Sequence, residues 1–256
     1  MKAIRTNNKL LYQFDSFSPA ETLHFTTTKA GWSGSGNSRF TANPESDHDQ
    51  YRCELAASLS LKKEQLVFPQ QTHSDHLKVV TEPANGNEIA DTDALITNIP
   101  GLCICVQTAD CVPILIYDPV NKVAAAIHAG WRGTVAHIAR KTLQIMGERF
   151  QCKPENMLAG IGPSISAAHY QVGPEVVEAV RSSFSRHDEL LSPENKAGKA
   201  HLDLWKTNQL LLEDCGIPAS QIELMSLCSF HHSANFYSAR RDGAATGRMA
   251  TGIMIL

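Results

Sequence analysis

Apolar positions in this chain fall into short runs more often than into helical stripes. Residues 112–117 and 123–127 are unbroken apolar runs of strand length, the pattern of a strand covered on both faces. The turn at 119–122 makes them neighbours. Residues 94–97, 102–107 and 157–161 read the same way; Pro100-Gly101 separates the first two and Gly162-Pro163 closes the third. Further strands are expected at 23–28, 66–71, 77–81 and 222–227, with closing strands at 235–238 and 252–256. Pro113 inside the 112–117 run points to an edge, a bulge or the strand's start, because proline donates no N–H to a ladder.

Helical spacing is rarer. Residues 51–61 read as a helix with Cys53, Ala56 and Ala57 inward. Residues 134–150 carry Val135, Ile138, Ala139 and Thr142 on one face, with Leu143 and Met146 close to it. Gly173-Pro174 opens a third helix bearing Val176, Val177, Val180 and Phe184. Asp203 caps a fourth, through Asp214, which Gly216 and Pro218 stop. Residues 31–38 read as a mobile Gly/Ser-rich loop, 83–87 as a turn and 185–199 as a polar loop. Strands outnumber helices and do not alternate with them. That favours an α+β fold with mixed or antiparallel sheets over a doubly wound one. No repeat or linker divides the chain, so residues 1–256 are expected to form a single domain, with 1–65 as its N-terminal part.

Composition narrows the function classes. The 256 residues are 43% apolar and 19% charged, an ordinary globular balance. A net charge of -3 argues against nucleic acid held by a general basic surface. No apolar stretch is long enough to span a membrane, and residues 1–14 have no apolar core of signal-peptide length. A cytoplasmic location is therefore expected, with neither membrane nor nucleic acid as partner. Seven cysteines, an odd number in a chain this long, do not read as a disulfide framework.

The stretch V-A-A-A-I-H-A-G-W-R-G-T at 123–134 draws attention to chemistry. A strand ends at His128, turns through Gly130 and Gly133 and opens a helix. An imidazole beside a helix N-terminus suits a metal or an anion, and a buried structural histidine is the alternative. If the 112–117 and 123–128 strands are neighbours, Cys111 and His128 share one sheet end. His73 lies between two further strands. Two imidazoles and a thiolate would leave a fourth zinc position open for water. The same atoms permit a Cys111 nucleophile with His128 or His73 as base and Asp110 or Asp93 orienting the ring. They also permit a buried thiol with two structural histidines. Cys103 and Cys105 point to one face of a strand, as buried thiols rather than a soft-metal pair.

The motifs Q-T-H-S at 71–74, D-A-L-I-T at 93–97, T-A-D-C-V-P-I-L at 108–115 and H-A-G-W-R-G at 128–133 resemble those of the YfiH-like laccase-domain family of multicopper polyphenol oxidoreductases. G-P-S-I at 162–165, Y-Q-V-G at 170–173 and Y-S-A-R-R-D-G-A-A-T-G-R-M-A at 237–250 continue the likeness to the C-terminus. The resemblance implies a compact α+β fold with layered mixed sheets flanked by helices, unlike a cupredoxin. It implies that His73, Cys111 and His128 are both the metal ligands and the catalytic residues, with Zn2+ bound and Cu2+ as the other candidate ion. The implied activity is zinc-dependent phosphorolysis of purine nucleosides (adenosine, inosine, guanosine, methylthioadenosine), with adenosine deaminase activity. A peptidoglycan-precursor editing hydrolase using Cys111, or a polyphenol oxidase, is the alternative.

Within that reading the partners are a purine nucleoside and phosphate. Arg132, Arg240 and Arg241 are expected to bind the phosphate, because guanidinium meets phosphate in a bidentate way. Trp131, Phe236 and Tyr237 are candidates to stack on the purine, and Asp93 or Asp110 to give a proton to departing ammonia. His231-His232 reads as a polar loop, and His24, His48, His137, His169, His187 and His201 as structural or surface residues. The N-terminal part departs from the family's S-T-R-x-G-G-x-S pattern. It reads T-T-T-K-A-G-W-S at 26–33, followed by S-R-F-T-A-N at 38–43, so Lys29 replaces the arginine and Ala30 the first glycine.

Overall fold

The computed structural model describes residues 1–33, 37–41, 48–84 and 87–256. In chain order the strands and helices begin β1 (Lys2–Thr6), β2 (Lys9–Gln13), β3 (Thr22–Thr27), α1 (His48–Ser58), β4 (Leu66–Val67), β5 (Leu77–Val79) and β6 (Ala94–Thr97). They continue with β7 (Cys103–Thr108), β8 (Val112–Asp118), β9 (Val123–Ala129), α2 (Trp131–Val135), α3 (Ile138–Phe150) and β10 (Leu158–Ile161). The last are β11 (Gln171–Val172), α4 (Pro174–Ser183), β12 (Ala200–His201), α5 (Leu204–Asp214), β13 (Ile222–Leu224), α6 (Ala239–Asp242) and β14 (Met249–Ile255).

Two six-stranded sheets dominate, ordered β1-β2-β3-β14-β7-β4 and β13-β10-β8-β9-β6-β5. Both are mixed: β4–β7, β10–β13 and β5–β6 are parallel and the other pairings antiparallel. The architecture is α+β, as expected. Alternation along the strands explains the layering. Ile104, Val106, Ile253 and Ile255 of one sheet meet Leu95, Leu115, Tyr117, Ala124 and Ala126 of the other in a shared core. The opposite faces of β8 and β9, through Val112, Ile114, Ile116, Ala125 and Ile127, lie under α3, α4 and α5. Every residue of β8 and β9 is buried, as their unbroken apolar runs required.

Several expectations change. Pro113 is not on an edge: β8 runs between β10 and β9. Pro113 sits second in β8, the strand's start that the sequence allowed; its O accepts from Gly162 N at 2.9 Å, and registered pairing with β10 starts at Ile114. The closing strand expected at 235–238 is absent: Phe236 and Tyr237 are buried in irregular chain, and Ser238 caps α6 by accepting from Arg241 N. The final strand, β14, lies in the middle of its sheet between β3 and β7. The single helix expected over 134–150 is two. It breaks at Ala136 and His137, the latter at φ 59, so α2 follows the turn after β9 while α3 lies along the sheet. Helix α1 buries Tyr51, Arg52, Leu55, Ala56 and Ser58 and leaves Cys53 and Ala57 outside. Arg52 can be buried because its guanidinium donates to Phe40 O at 2.5 Å and to Glu88 at 3.0 Å and lies over Phe68.

Elsewhere the local signals hold. Asp203 accepts from Lys206 N at 2.9 Å and caps α5, and Pro174 follows the N-cap Gly173 of α4. The loop expected at 31–38 and the turn at 83–87 fall partly outside the described residues.

Candidate metal centre and cavity

Register brings the first two candidate ligands together. In the β8–β9 ladder Val112 pairs with Ala129 and Pro113 with His128, so Cys111, just before β8, stands beside the end of β9. His73 arrives from the loop between β4 and β5. Gln71 positions that loop through a pair of 2.8 Å bonds to the backbone N and O of Gln107, at the end of β7. One ligand atom from each of His73, Cys111 and His128 lies within 4.8 Å of the others. The two imidazoles meet edge to face, with ring centroids 4.8 Å apart. His128 is buried, Cys111 half-buried and His73 exposed, so the cluster opens on the side of His73.

Asp93 is the hub of this arrangement. It is completely buried. Its Oδ1 accepts from His73 N at 3.1 Å and from His128 Nδ1 at 2.7 Å. Its Oδ2 accepts from Thr72 N at 3.2 Å and from Ser74 N and Oγ, each at 2.7 Å. Burial opposes the charge on Asp93, but His128 and Ser74 outweigh it and hold the carboxyl well below its usual range. A carboxylate so saturated with donors does not serve as a proton donor. It anchors His73, which sits at φ 60, and fixes the tautomer of His128, leaving Nε2 to face Cys111.

Asp110 plays a similar part. It stands at φ 91 next to Cys111, and its carboxylate accepts from Ser229 Oγ at 2.6 Å, Ser238 Oγ at 3.0 Å and Arg240 N at 2.7 Å. It ties the start of α6 to the Cys111 turn. Burial pushes the Cys111 thiol up, but the neighbouring His128 cation and hydrogen bonds from His128 and His73 bring it down to about 6. Burial likewise disfavours the His128 cation, which Cys111 and Asp93 nevertheless hold up to about 9. The two shifts share a cause: with no metal bound, the thiolate and the imidazolium each stabilise the other's charge.

The residues fit a metal ion. Two nitrogens and one sulfur are a zinc-type donor set with room for a further ligand, and the second nitrogen of His128 is already bonded to a carboxylate. The glycines fit too. A Cβ on Gly130 would stand 3.0 Å from Cys111 Sγ and 3.3 Å from His73 Cδ2, and one on Gly133 would stand 3.1 Å from Ser74 O.

The cluster forms one wall of a cavity of about 530 Å³, large enough for a nucleoside-sized ligand. Arg132 and Arg240 also line it. Arg132 lies over the Trp131 ring at 4.4 Å and Arg240 over the Tyr170 ring at 5.2 Å. Arg241 does not reach the cavity. Its guanidinium donates to Ser229 O, Phe230 O and Phe236 O and pairs with Asp242. Of the three aromatic candidates Trp131 lines the cavity, while Phe236 and Tyr237 are core residues packed with Ala109 and Met249. Sequence reasoning missed Arg39, Gln107, Tyr170 and Arg248, which line the cavity as well. Tyr170 and Arg248 lay in quoted motifs, but as lone residues they carried no chemical signal. Cys103 and Cys105 are buried thiols with sulfurs 3.7 Å apart. His24, whose Nε2 accepts from Phe14 N at 3.0 Å and which burial pushes down to about 4, is structural.

The family described as "Multi-copper polyphenol oxidoreductase laccase" matches residues 23–256. A "Purine nucleoside phosphorylase" of Bacteroides thetaiotaomicron is 38% identical over 264 residues, 98% of each chain. An "Adenosine deaminase RL5" from an unknown prokaryotic organism is 38% identical over 209 residues, 79% of each. The crystal structure of YlmD from Geobacillus stearothermophilus superposes with a TM-score of 0.90 at 29% identity, covering 98% of this chain and 97% of that one. No helix among the described residues is long and apolar enough to cross a membrane.

Proposed function

This chain belongs to the multi-copper polyphenol oxidoreductase laccase family, and on that premise we propose that it is a zinc-dependent purine nucleoside phosphorylase that also deaminates adenosine. The reading carries over the activities in the names of its relatives. The observation that supports it most is the convergence of His73, Cys111 and His128 on one point of a cavity lined by guanidinium groups and aromatic rings. The substrates are adenosine, inosine, guanosine and methylthioadenosine. In phosphorolysis the C1′–N9 bond breaks, an oxygen of hydrogen phosphate bonds to C1′, and the purine leaves with the electron pair and takes the proton that the phosphate gives up. In deamination water adds at C6 and ammonia leaves.

His73, Cys111 and His128 would hold zinc. Zinc held there would supply a Lewis acid and acidify a coordinated water, which deamination requires. Asp93 keeps the Nδ1 proton of His128 and the position of His73. Trp131 and Tyr170 offer faces for the purine, and Arg132 and Arg240, at the cavity rim, are the arginines placed to meet the substrate. All seven cysteines are free thiols, which suits a cytoplasmic enzyme.

Product analysis of metal-quantified protein tests the reading. Adenosine with phosphate should yield adenine and ribose 1-phosphate, and adenosine alone should yield inosine and ammonia. Chelation and Cys111→Ala should each abolish both. One observation favours a second reading, a hydrolase with Cys111 as nucleophile: its thiol is brought down to about 6 beside His128. Activity in metal-free protein that vanishes on alkylation of Cys111 would establish that reading instead. Polyphenol oxidase chemistry needs several copper sites, and a single three-residue His/Cys cluster is found among the described residues.

A further inference from the structure

The cavity holds more positive charge than the expected arginines account for. Arg39, from the segment before α1, and Arg248, just before β14, both line it. Their segments are joined: Arg248 N donates to Ser38 O at 2.7 Å. A Cβ on Gly247 would strike the Tyr237 ring at 2.6 Å, so its glycine lets the chain lie flat on that ring beside Arg248. The two guanidinium groups share acceptors. Arg39 Nη2 donates to Ala244 O at 3.3 Å and Thr246 O at 2.9 Å. Arg248 donates to Ala244 O through Nη2 at 3.0 Å, and through Nη1 to Thr246 O at 2.6 Å and Gly247 O at 3.0 Å. Groups bonded to the same two carbonyls are adjacent.

Two adjacent guanidinium groups repel. Some arginines are paired with a carboxylate, Arg52 with Glu88, Arg181 with Glu194 and Arg241 with Asp242; among the described residues the four that line the cavity are not. Among the described residues neither Arg39 nor Arg248 has a carboxylate within salt-bridge distance; their recorded partners are backbone carbonyls. Burial, and then Arg39, push the Arg248 guanidinium down, with Cys111 and Asp110 acting the other way. This like-charge pair is therefore held ready at the cavity wall for an anion. Arg132 and Arg240 are more exposed and each lies on an aromatic ring.

We infer that Arg39 and Arg248 form the oxyanion clamp of the cavity, taking the inorganic phosphate of phosphorolysis and leaving Arg132 and Arg240 to the nucleoside. Arg39 Nη1 and Nε and Arg248 Nε are the donors not given to these carbonyls, and a tetrahedral dianion can accept from both side chains at once. The inference deepens the proposed function and rests on it for the identity of the anion.

The test is calorimetric titration of the zinc-loaded protein with inorganic phosphate, together with the KM for phosphate at saturating nucleoside. Arg39→Gln and Arg248→Gln should each weaken phosphate binding about 10- to 100-fold, the loss of one charge-assisted contact set. Arg39→Lys, which keeps the charge and loses the fork, should fall between them and wild type. Arg149→Gln, on the exposed face of α3, controls for net charge and should leave the dissociation constant unchanged. Because Arg248 also ties down its own loop, Arg39→Gln decides the matter if Arg248→Gln unfolds. Phosphate affinity unchanged in Arg39→Gln overturns the clamp. So does a wild type that deaminates adenosine but binds no phosphate, and the metal-site reading survives that result. Phosphate binding that depends on both arginines, without any nucleoside turnover, supports the clamp and refutes the nucleoside reading.

Discussion

Replacing Asp93 by Asn changes one atom at the hub of the site. Whichever oxygen becomes the amide nitrogen, bonds are lost. At Oδ1 the new donor faces His73 N and His128 Nδ1; at Oδ2 it faces Thr72 N, Ser74 N and Ser74 Oγ. Two charge-assisted bonds at about 1.5–3 kcal/mol each give about 3–6 kcal/mol. Part returns because Thr72 and Ser74 lie near water, so about 3 kcal/mol of stability should go, a fall in Tm of about 6–12 °C for a chain of this size. Zinc should bind about 10- to 100-fold more weakly, the usual result of removing the group behind a ligating histidine. Competition with a chromogenic chelator measures the second effect, and calorimetry of metal-free protein the first. Ser74→Ala removes one donor, Oγ, from Oδ2 and keeps the backbone N–H, so it should give a smaller loss of both. A D93N protein that binds zinc within about twofold of wild type would show that Asp93 does not position the ligands.

Other expectations follow from the same geometry. Gly130→Ala puts a methyl group against Cys111 Sγ and His73, yet its φ of -71 suits alanine, so metal affinity should fall about tenfold while Tm moves little; equal metal affinity would mean the ligands can shift aside. Asp110→Asn should free the start of α6 and raise the KM for nucleoside, with metal content unchanged by metal analysis; loss of metal would mean Asp110 mainly supports Cys111. In metal-free protein the Cys111 thiol, lowered to about 6, contributes stability present above its unfolded pKa and lost as pH falls through about 6. His128, raised to about 9, contributes stability complete below its unfolded pKa and lost as pH rises through about 9. From about pH 6.5 to 8.5 the folded pair and the unfolded pair bind nearly the same number of protons, so the site adds little slope there. A difference titration of thiolate absorbance against Cys111→Ala checks this, and a midpoint near the ordinary thiol value would refute the ion pair.

Local pattern by itself settled a good deal. The runs of β8 and β9 had no polar residue to turn toward water, so a strand buried on both faces was the solution open to them. Gly173-Pro174 and Asp203 marked helix starts through backbone geometry and a side-chain cap, both set within a few residues. Cys111 and His128 could be placed together because a short turn between two strands leaves their ends adjacent.

His73 was different. Its place beside them depends on Asp93, a residue whose buried carboxylate meets the loop only once β6 has paired with β9. The sorting of the arginines was also beyond the sequence. Arg240 and Arg241 are neighbours in the chain, but one lies over Tyr170 in the cavity and the other spends its donors on three carbonyls. Arg39 and Arg248 stand at opposite ends of the sequence and share two acceptors in the fold. Periodicity records which side of an element faces the core. Which charges end up side by side depends on contacts between distant segments, and those exist only after the sheets have packed.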